Sequence, residues 1–215
     1  QPPGIDTEDL QMTEPHCTDG PWVIYTGNPD RYQELELLVE AMRSIRGAGL
    51  LLVGGSGFDS LDLSGLERVR VVRETDFARV RGWLTSAAVA VLPRSQCPGF
   101  PMKLLNYLGM ALPVVASRGA APPLPGMVEV DARSSRALAS AIQDLISDPA
   151  RARVLGRRAR AHILENWTWE ARAVTLEALY RTILDHRGLG PVGREVPQCR
   201  GHGYAPSART RHGPA

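Results

Sequence analysis

WVIYTGNPDRYQELELLVEAMRSIRGAGLLLVGG, residues 22–55, is the stretch on which the fold turns. Trp22–Thr26 is a short aromatic and β-branched run ending at Gly27, the pattern of a buried strand followed by a turn. In QELELLVEAMRSI (33–45), Leu35, Leu38, Val39 and Met42 recur at helical spacing and predict one apolar helix face. Leu50–Val53 is the next strand, closed by Gly54, Gly55 and Gly57. Strand, amphipathic helix and strand in succession predict a βαβ unit.

The rhythm continues downstream. Val69–Val72 reads as a third strand, and Thr75 as the N-cap of a helix through Trp83, with Asp76 in its first turn. Ala87–Leu92, Leu112–Ser117 and a weaker Met127–Val130 are further strands, and Met102–Met110 is a helix. Then come three helices: Ser134 or Ser135 to Ile146, Asp148-Pro149 to Glu165, and Thr168 capping Trp169–Leu184. The expectation is an α/β domain with a doubly wound, mainly parallel sheet, Rossmann-like, over 21–185. A linker rich in Pro, Asp, Thr and Gly precedes it (1–20), and a disordered basic Gly/Pro/Arg tail follows (186–215).

Composition agrees with one ordinary domain: 215 residues, 43% hydrophobic and 22% charged, enough to bury a core without staples. The net charge of +2 does not argue for nucleic acid, because residues 187–215 hold five Arg against one Glu and leave the body mildly acidic. Cys17, Cys97 and Cys199 have neither CxxC nor metal-ligand spacing, which argues against zinc and a disulfide framework and suits a reducing cytoplasm. No apolar run is long enough for a bilayer span, and the polar, acidic start does not read as a signal peptide. A start at Gln rather than Met is read as a fragment, a processed product or an engineered piece.

In such sheets ligands bind beyond the carboxyl ends of the strands, at the topological switch point. The positions to inspect are therefore Gly27–Asp30, Gly54–Phe58, Arg73–Glu74 and Arg94–Lys103. The loop RSQCPGFP (94–101) runs into the helix MKLLNYLG, whose first amides lack intrahelical acceptors and, with those at Phe100–Lys103, offer an anion site. Lys103 lies in that first turn, a poor place for a cation unless an anion sits opposite. It is the sole lysine among 25 basic residues, which suggests that a compact ammonium is wanted there. A solvated surface lysine kept by chance is the alternative.

Other features are weaker. Gly54-Gly55-Ser56-Gly57 is a poor dinucleotide fingerprint, with Ser60 at the third glycine position, and reads better as a tight turn. No catalytic triad assembles, and Cys97 reads as a buried inert thiol. His16, His162 and His186 read as surface residues, the arginines of 151–162 as a solvated helix face, and Trp22, Trp83, Trp167 and Trp169 as core or helix-packing residues.

YTGNPDRYQELELLVEAM (25–42), VGGSG (53–57), PGFPMKLLNYLGMALPVVAS (98–117) and ENWTWEARAVTLEALY (165–180) together resemble the C-terminal, donor-binding domain of retaining glycosyltransferases of family 4 (group 1), which have the GT-B fold. The resemblance covers roughly residues 1–185 and implies a nucleoside-diphosphate sugar as donor. Pro98 and Asn106 stand where the family carries two glutamates seven residues apart. By resemblance the second binds the ribose hydroxyls, and Asn106 retains one amide oxygen for that bond. The first contacts the transferred sugar, which Pro98 cannot do. The family's Arg and Lys that grip the diphosphate are here Asn28 and Gln33, with Lys103 taking over their charge.

The expected donor site comprises Gly27, Asn28, Gly55, Arg73, Phe100, Pro101, Met102, Leu104 and Asn106, with Lys103 stabilising the leaving diphosphate and no metal or other cofactor. The resemblance further implies a missing N-terminal acceptor domain, with peripheral membrane contact through that half. The leading expectation is hexose transfer with retention, the isolated chain binding nucleotide weakly without turnover. The alternative is a non-catalytic nucleotide-binding module or degenerate remnant. A nucleotide-sugar epimerase would need cleft carboxylates the sequence does not place, and an NAD-dependent oxidoreductase a better fingerprint.

Overall fold

The computed structural model describes residues 3–96 and 99–186. Cys97, Pro98, Cys199 and the tail from 187 onward lie outside the described residues, and with them the readings of a buried Cys97 and a disordered tail. The described residues fall into two units, divided between Leu176 and Glu177.

The first unit carries one six-stranded sheet in the order β3-β2-β1-β4-β5-β6. The strands are β1 (Trp22–Thr26), β2 (Gly49–Gly54), β3 (Val69–Arg73), β4 (Val89–Leu92), β5 (Val114–Ser117) and β6 (Met127–Val130). Every pairing is parallel. The helices are α1 (Leu35–Ser44), α2 (Phe77–Thr85), α3 (Met102–Gly109), α4 (Ser135–Ser147), α5 (Pro149–Asn166) and α6 (Trp169–His186). The chain builds outward from β1 to β3, returns to β4 beside β1, and builds the other way, so the switch point lies between β1 and β4.

Alternation along the strands divides the core. Trp22, Ile24, Leu51, Val53, Ala90 and Leu92 face one layer with α3 and α5. Val23, Tyr25, Leu50, Leu52, Val89 and Val91 face the other with α1 and α4. The crossover from β2 to β3 departs from the pattern, holding only a 3-10 turn at Phe58–Ser60.

Several boundaries differ from expectation for local reasons. Asp76, not Thr75, caps α2, accepting from the Ala78 amide at 3.0 Å. Helix α1 starts at Leu35 because Glu34 adopts a left-handed conformation (φ 52) after a 3-10 turn at Arg31–Gln33. Ser134 caps α4 through Ala137, and Asp148 caps α5 through Arg151 with Pro149 at its first position.

The segment read as linker packs onto the domain. Leu10 is fully buried, Ile5 bridges Thr168, and the His16 ring lies 4.7 Å from that of Trp83. Arg160, read as part of a solvated face, instead donates to the carbonyls of Leu10 and Gly109. Trp169, read as a packing residue, is half exposed. In the second unit the described residues 177–186 are helical, with Arg181 paired to Glu177 at 2.6 Å.

Candidate functional site

Where β1 and β4 part, the end of β1 loses its partner: the β1–β4 register runs only over Val23–Val89 and Ile24–Ala90. Helix α3 supplies the replacement. The Tyr107 hydroxyl, fully buried, accepts from the Thr26 amide at 2.7 Å and from Thr26 Oγ1 at 3.0 Å. Burial pushes this phenol up to about 12 despite those two donors.

One turn earlier on the same face of α3 stands Lys103. Its ammonium donates to the Tyr25 hydroxyl at 2.8 Å and to Gln33 Oε1 at 3.4 Å. The Tyr25 hydroxyl in turn donates to the Asn28 carbonyl at 2.7 Å. Burial, first of all, and the nearby Arg94 charge lower the Lys103 pKa to about 7, with Asp30 opposing. Gly27 has φ 105, and a Cβ there would stand 3.0 Å from Lys103 Nζ, so the turn and the ammonium fit only around a glycine. Gly54 is equally constrained, because a Cβ would run into the Gly27 carbonyl.

The floor on the β4 side is set by Arg94, almost wholly buried, which donates to the Ala120 carbonyl at 3.1 Å and the Gly99 carbonyl at 3.2 Å. It thereby ties the loop before α3 to the one after β5. The amides of Met102 and Lys103 have no acceptor among the described residues, whereas that of Leu104 bonds the Pro101 carbonyl at 2.8 Å. The Lys103 amine, the buried Arg94 guanidinium and the first amides of α3, two of which have no acceptor among the described residues, thus lie around the switch point, the kind of arrangement that suits an anion.

The structure therefore brings Gly27, Asn28, Pro101, Met102 and Lys103 together. Leu104 drops out, its side chain fully buried and its amide bonded. Arg73 is turned to the rim, paired with Asp59 at 2.9 Å. The Phe100 ring stacks on Trp167 at 5.0 Å, which leaves its backbone as the part near the site. Gly55 lies beside Asn28, and half-buried Asn106 has no side-chain hydrogen bond among the described residues. Reading the sequence missed Tyr25 and Tyr107, and named Arg94 only as the start of a loop to inspect. The i,i+4 spacing of Lys103 and Tyr107 was the one visible signal. Among the described residues no three His, Cys, Asp or Glu side chains are grouped to hold a metal ion, and no helix is long and apolar enough to cross a membrane.

Comparison with known proteins adds identity to this geometry. A family profile described as "Glycosyl transferases group 1" matches residues 20–148. The GDP-mannose-dependent alpha-(1-6)-phosphatidylinositol monomannoside mannosyltransferase of Mycolicibacterium smegmatis is 28% identical over 208 residues, covering 83% of this chain and 54% of that protein. Sucrose-phosphate synthase from Thermosynechococcus elongatus superposes with a TM-score of 0.71 at 29% identity, over 86% of this chain and 52% of that one. Anabaena HepE, crystallised with UDP-glucose, superposes with a TM-score of 0.66 at 17% identity, over 85% of this chain and 56% of its own. The chain spans about half the length of these relatives.

Proposed function

The chain belongs to the group 1 glycosyl transferases, and from that premise we propose that it is the half that holds a nucleoside-diphosphate sugar for transfer of a hexose, with retention, to an acceptor bound by the other half. The observation that carries this reading is the Lys103 ammonium, held by Tyr25 and Gln33 against Gly27 beside the first amides of α3, of which those of Met102 and Lys103 have no acceptor among the described residues. As the glycosidic bond loosens, negative charge grows on the leaving diphosphate. A preorganised ammonium and fixed amides stabilise that charge more than the ground state, which is what lowers a barrier. The mannosyltransferase relative favours a guanosine nucleotide carrying mannose.

Titration of the chain with UDP, GDP and ADP tests the reading. Micromolar binding of one of them, weakened at least tenfold by Lys103→Ala, supports it; no binding to any of the three sinks it. With half the length of its relatives, the chain alone is expected to bind nucleotide without turning over. A non-catalytic nucleotide-binding module is the second reading, favoured by Asn106, an uncharged amide without a partner among the described residues. Sugar transfer after joining the chain to an acceptor half would decide against it.

A further inference from the structure

The loop that brings Gln33 to Lys103 also carries a feature that diphosphate binding leaves unused. Glu34 adopts φ 52, and it is one of three non-glycine residues with positive φ among those described. A side chain in that conformation costs about 1 kcal/mol. Its carboxylate accepts from the Ser95 amide at 2.8 Å and from Ser95 Oγ at 2.7 Å. Arg133 Nε lies 3.8 Å from the same carboxylate, and Arg133 is another of the three, at φ 61. Two strained residues, one before α1 and one before α4, therefore meet, and the first of them holds the loop after β4. Strain persists only where the surroundings over-determine it, and it gathers at functional sites.

The Glu34 side chain keeps 26% of its surface exposed. It opens on a cavity of about 460 Å³ that it lines with Arg31, Tyr32 and Gln96. A carboxylate has about four acceptor positions, and Ser95 occupies two. Gln33, the next residue, accepts from Lys103 at 3.4 Å, so one short turn carries both the Lys103 contact and the carboxylate that lines this cavity. A fixed negative charge there repels phosphate. It suits instead the uncharged, hydroxyl-rich part of the same ligand, whose O–H groups donate to a carboxylate. The guanidinium of Arg31 and the amide of Gln96 donate to hydroxyl oxygens in return, and Tyr32, 47% exposed, offers a flat apolar face to the C–H side of a sugar ring.

We propose that Glu34, oriented by Ser95, accepts hydroxyls of the transferred hexose and so determines which sugar the site takes. The inference rests on the donor-site reading, and its test separates the two. Calorimetric titration of the full chain compares GDP with GDP-mannose and UDP with UDP-glucose, in the native protein, in Glu34→Gln and in Ser95→Ala. The quantity read is the affinity ratio of sugar-bearing to bare nucleotide. It should fall about tenfold in Glu34→Gln and by a smaller factor in Ser95→Ala, where the carboxylate loses one of its two anchors. A ratio unchanged in Glu34→Gln overturns the inference while leaving the donor site standing. Should Glu34→Gln melt below the working temperature, an unchanged ratio in Ser95→Ala overturns it instead. If the native chain binds none of the four compounds, the donor-site reading fails and takes this inference with it.

Discussion

The Lys103 ammonium and the Tyr25 hydroxyl meet at 2.8 Å although 78 positions separate them in the chain. This contact joins the first turn of α3 to the end of β1, and it holds a cation where burial has already brought its pKa to about 7. The site therefore sits near the titration point of its own charge.

A bound diphosphate favours the charged amine, so binding above pH 7 draws in a proton. The affinity for GDP or UDP should weaken as pH rises from 7 to 9, by up to about tenfold per pH unit. In Lys103→Met the dependence should flatten. Calorimetry at several pH values reads both, and equal slopes in the two proteins would exclude Lys103 as the titrating group.

Stability should move the opposite way with pH. The folded-state pKa of Lys103 lies below its ordinary value of 10.5, so between about 7 and 10 the unfolded chain holds more protons. Resistance to urea should rise across that window and be lowest below pH 7, where the buried amine is charged. Lys103→Met should remove the rise and stabilise the protein at pH 6. A site that binds anions would then be one that costs stability when empty.

Tyr107→Phe leaves the Thr26 amide and hydroxyl without their buried acceptor. Loss of about 1–3 kcal/mol in urea unfolding is expected. Nucleotide affinity should fall as well, because the end of β1 is what positions Tyr25 beneath Lys103. Native-like stability in this variant would mean that another group takes the Thr26 amide.

Helix α3 ends in a tight fit with α5. Ala111 has φ 60, and a Cβ on Gly156 would fall on the Ala111 carbonyl oxygen. Ala111→Gly should therefore stabilise by about 0.5–1 kcal/mol. Gly156→Ala should destabilise by about 2–3 kcal/mol. Thermal melts of the two variants would shift in opposite directions.

Sheet, helices and switch point were legible because they rest on periodicity: short strands of four to six residues and helical apolar spacing survive in the sequence alone. Lys103 was legible because one lysine among arginines is a compositional anomaly. Tyr107, Arg94 and Tyr25 were not, since each acts through a partner distant in the chain, as Tyr107 does with Thr26 and Arg94 with Ala120. Glu34 was hidden for a different reason. Its helical spacing places it inside α1, and only the backbone conformation reveals that it stands before it. Thr75 and Asp76 show the usual limit, two adjacent capping residues that local sequence does not rank.

Arg160 reaches through to the carbonyls of Leu10 and Gly109 and thereby rivets the opening segment to the end of α3. Anyone trimming this polypeptide at its first strand would strip away Leu10 and uncover a greasy socket, with a guanidinium left gripping one carbonyl instead of two. The smallest piece worth expressing starts ahead of Ile5, well upstream of where hydropathy alone would cut.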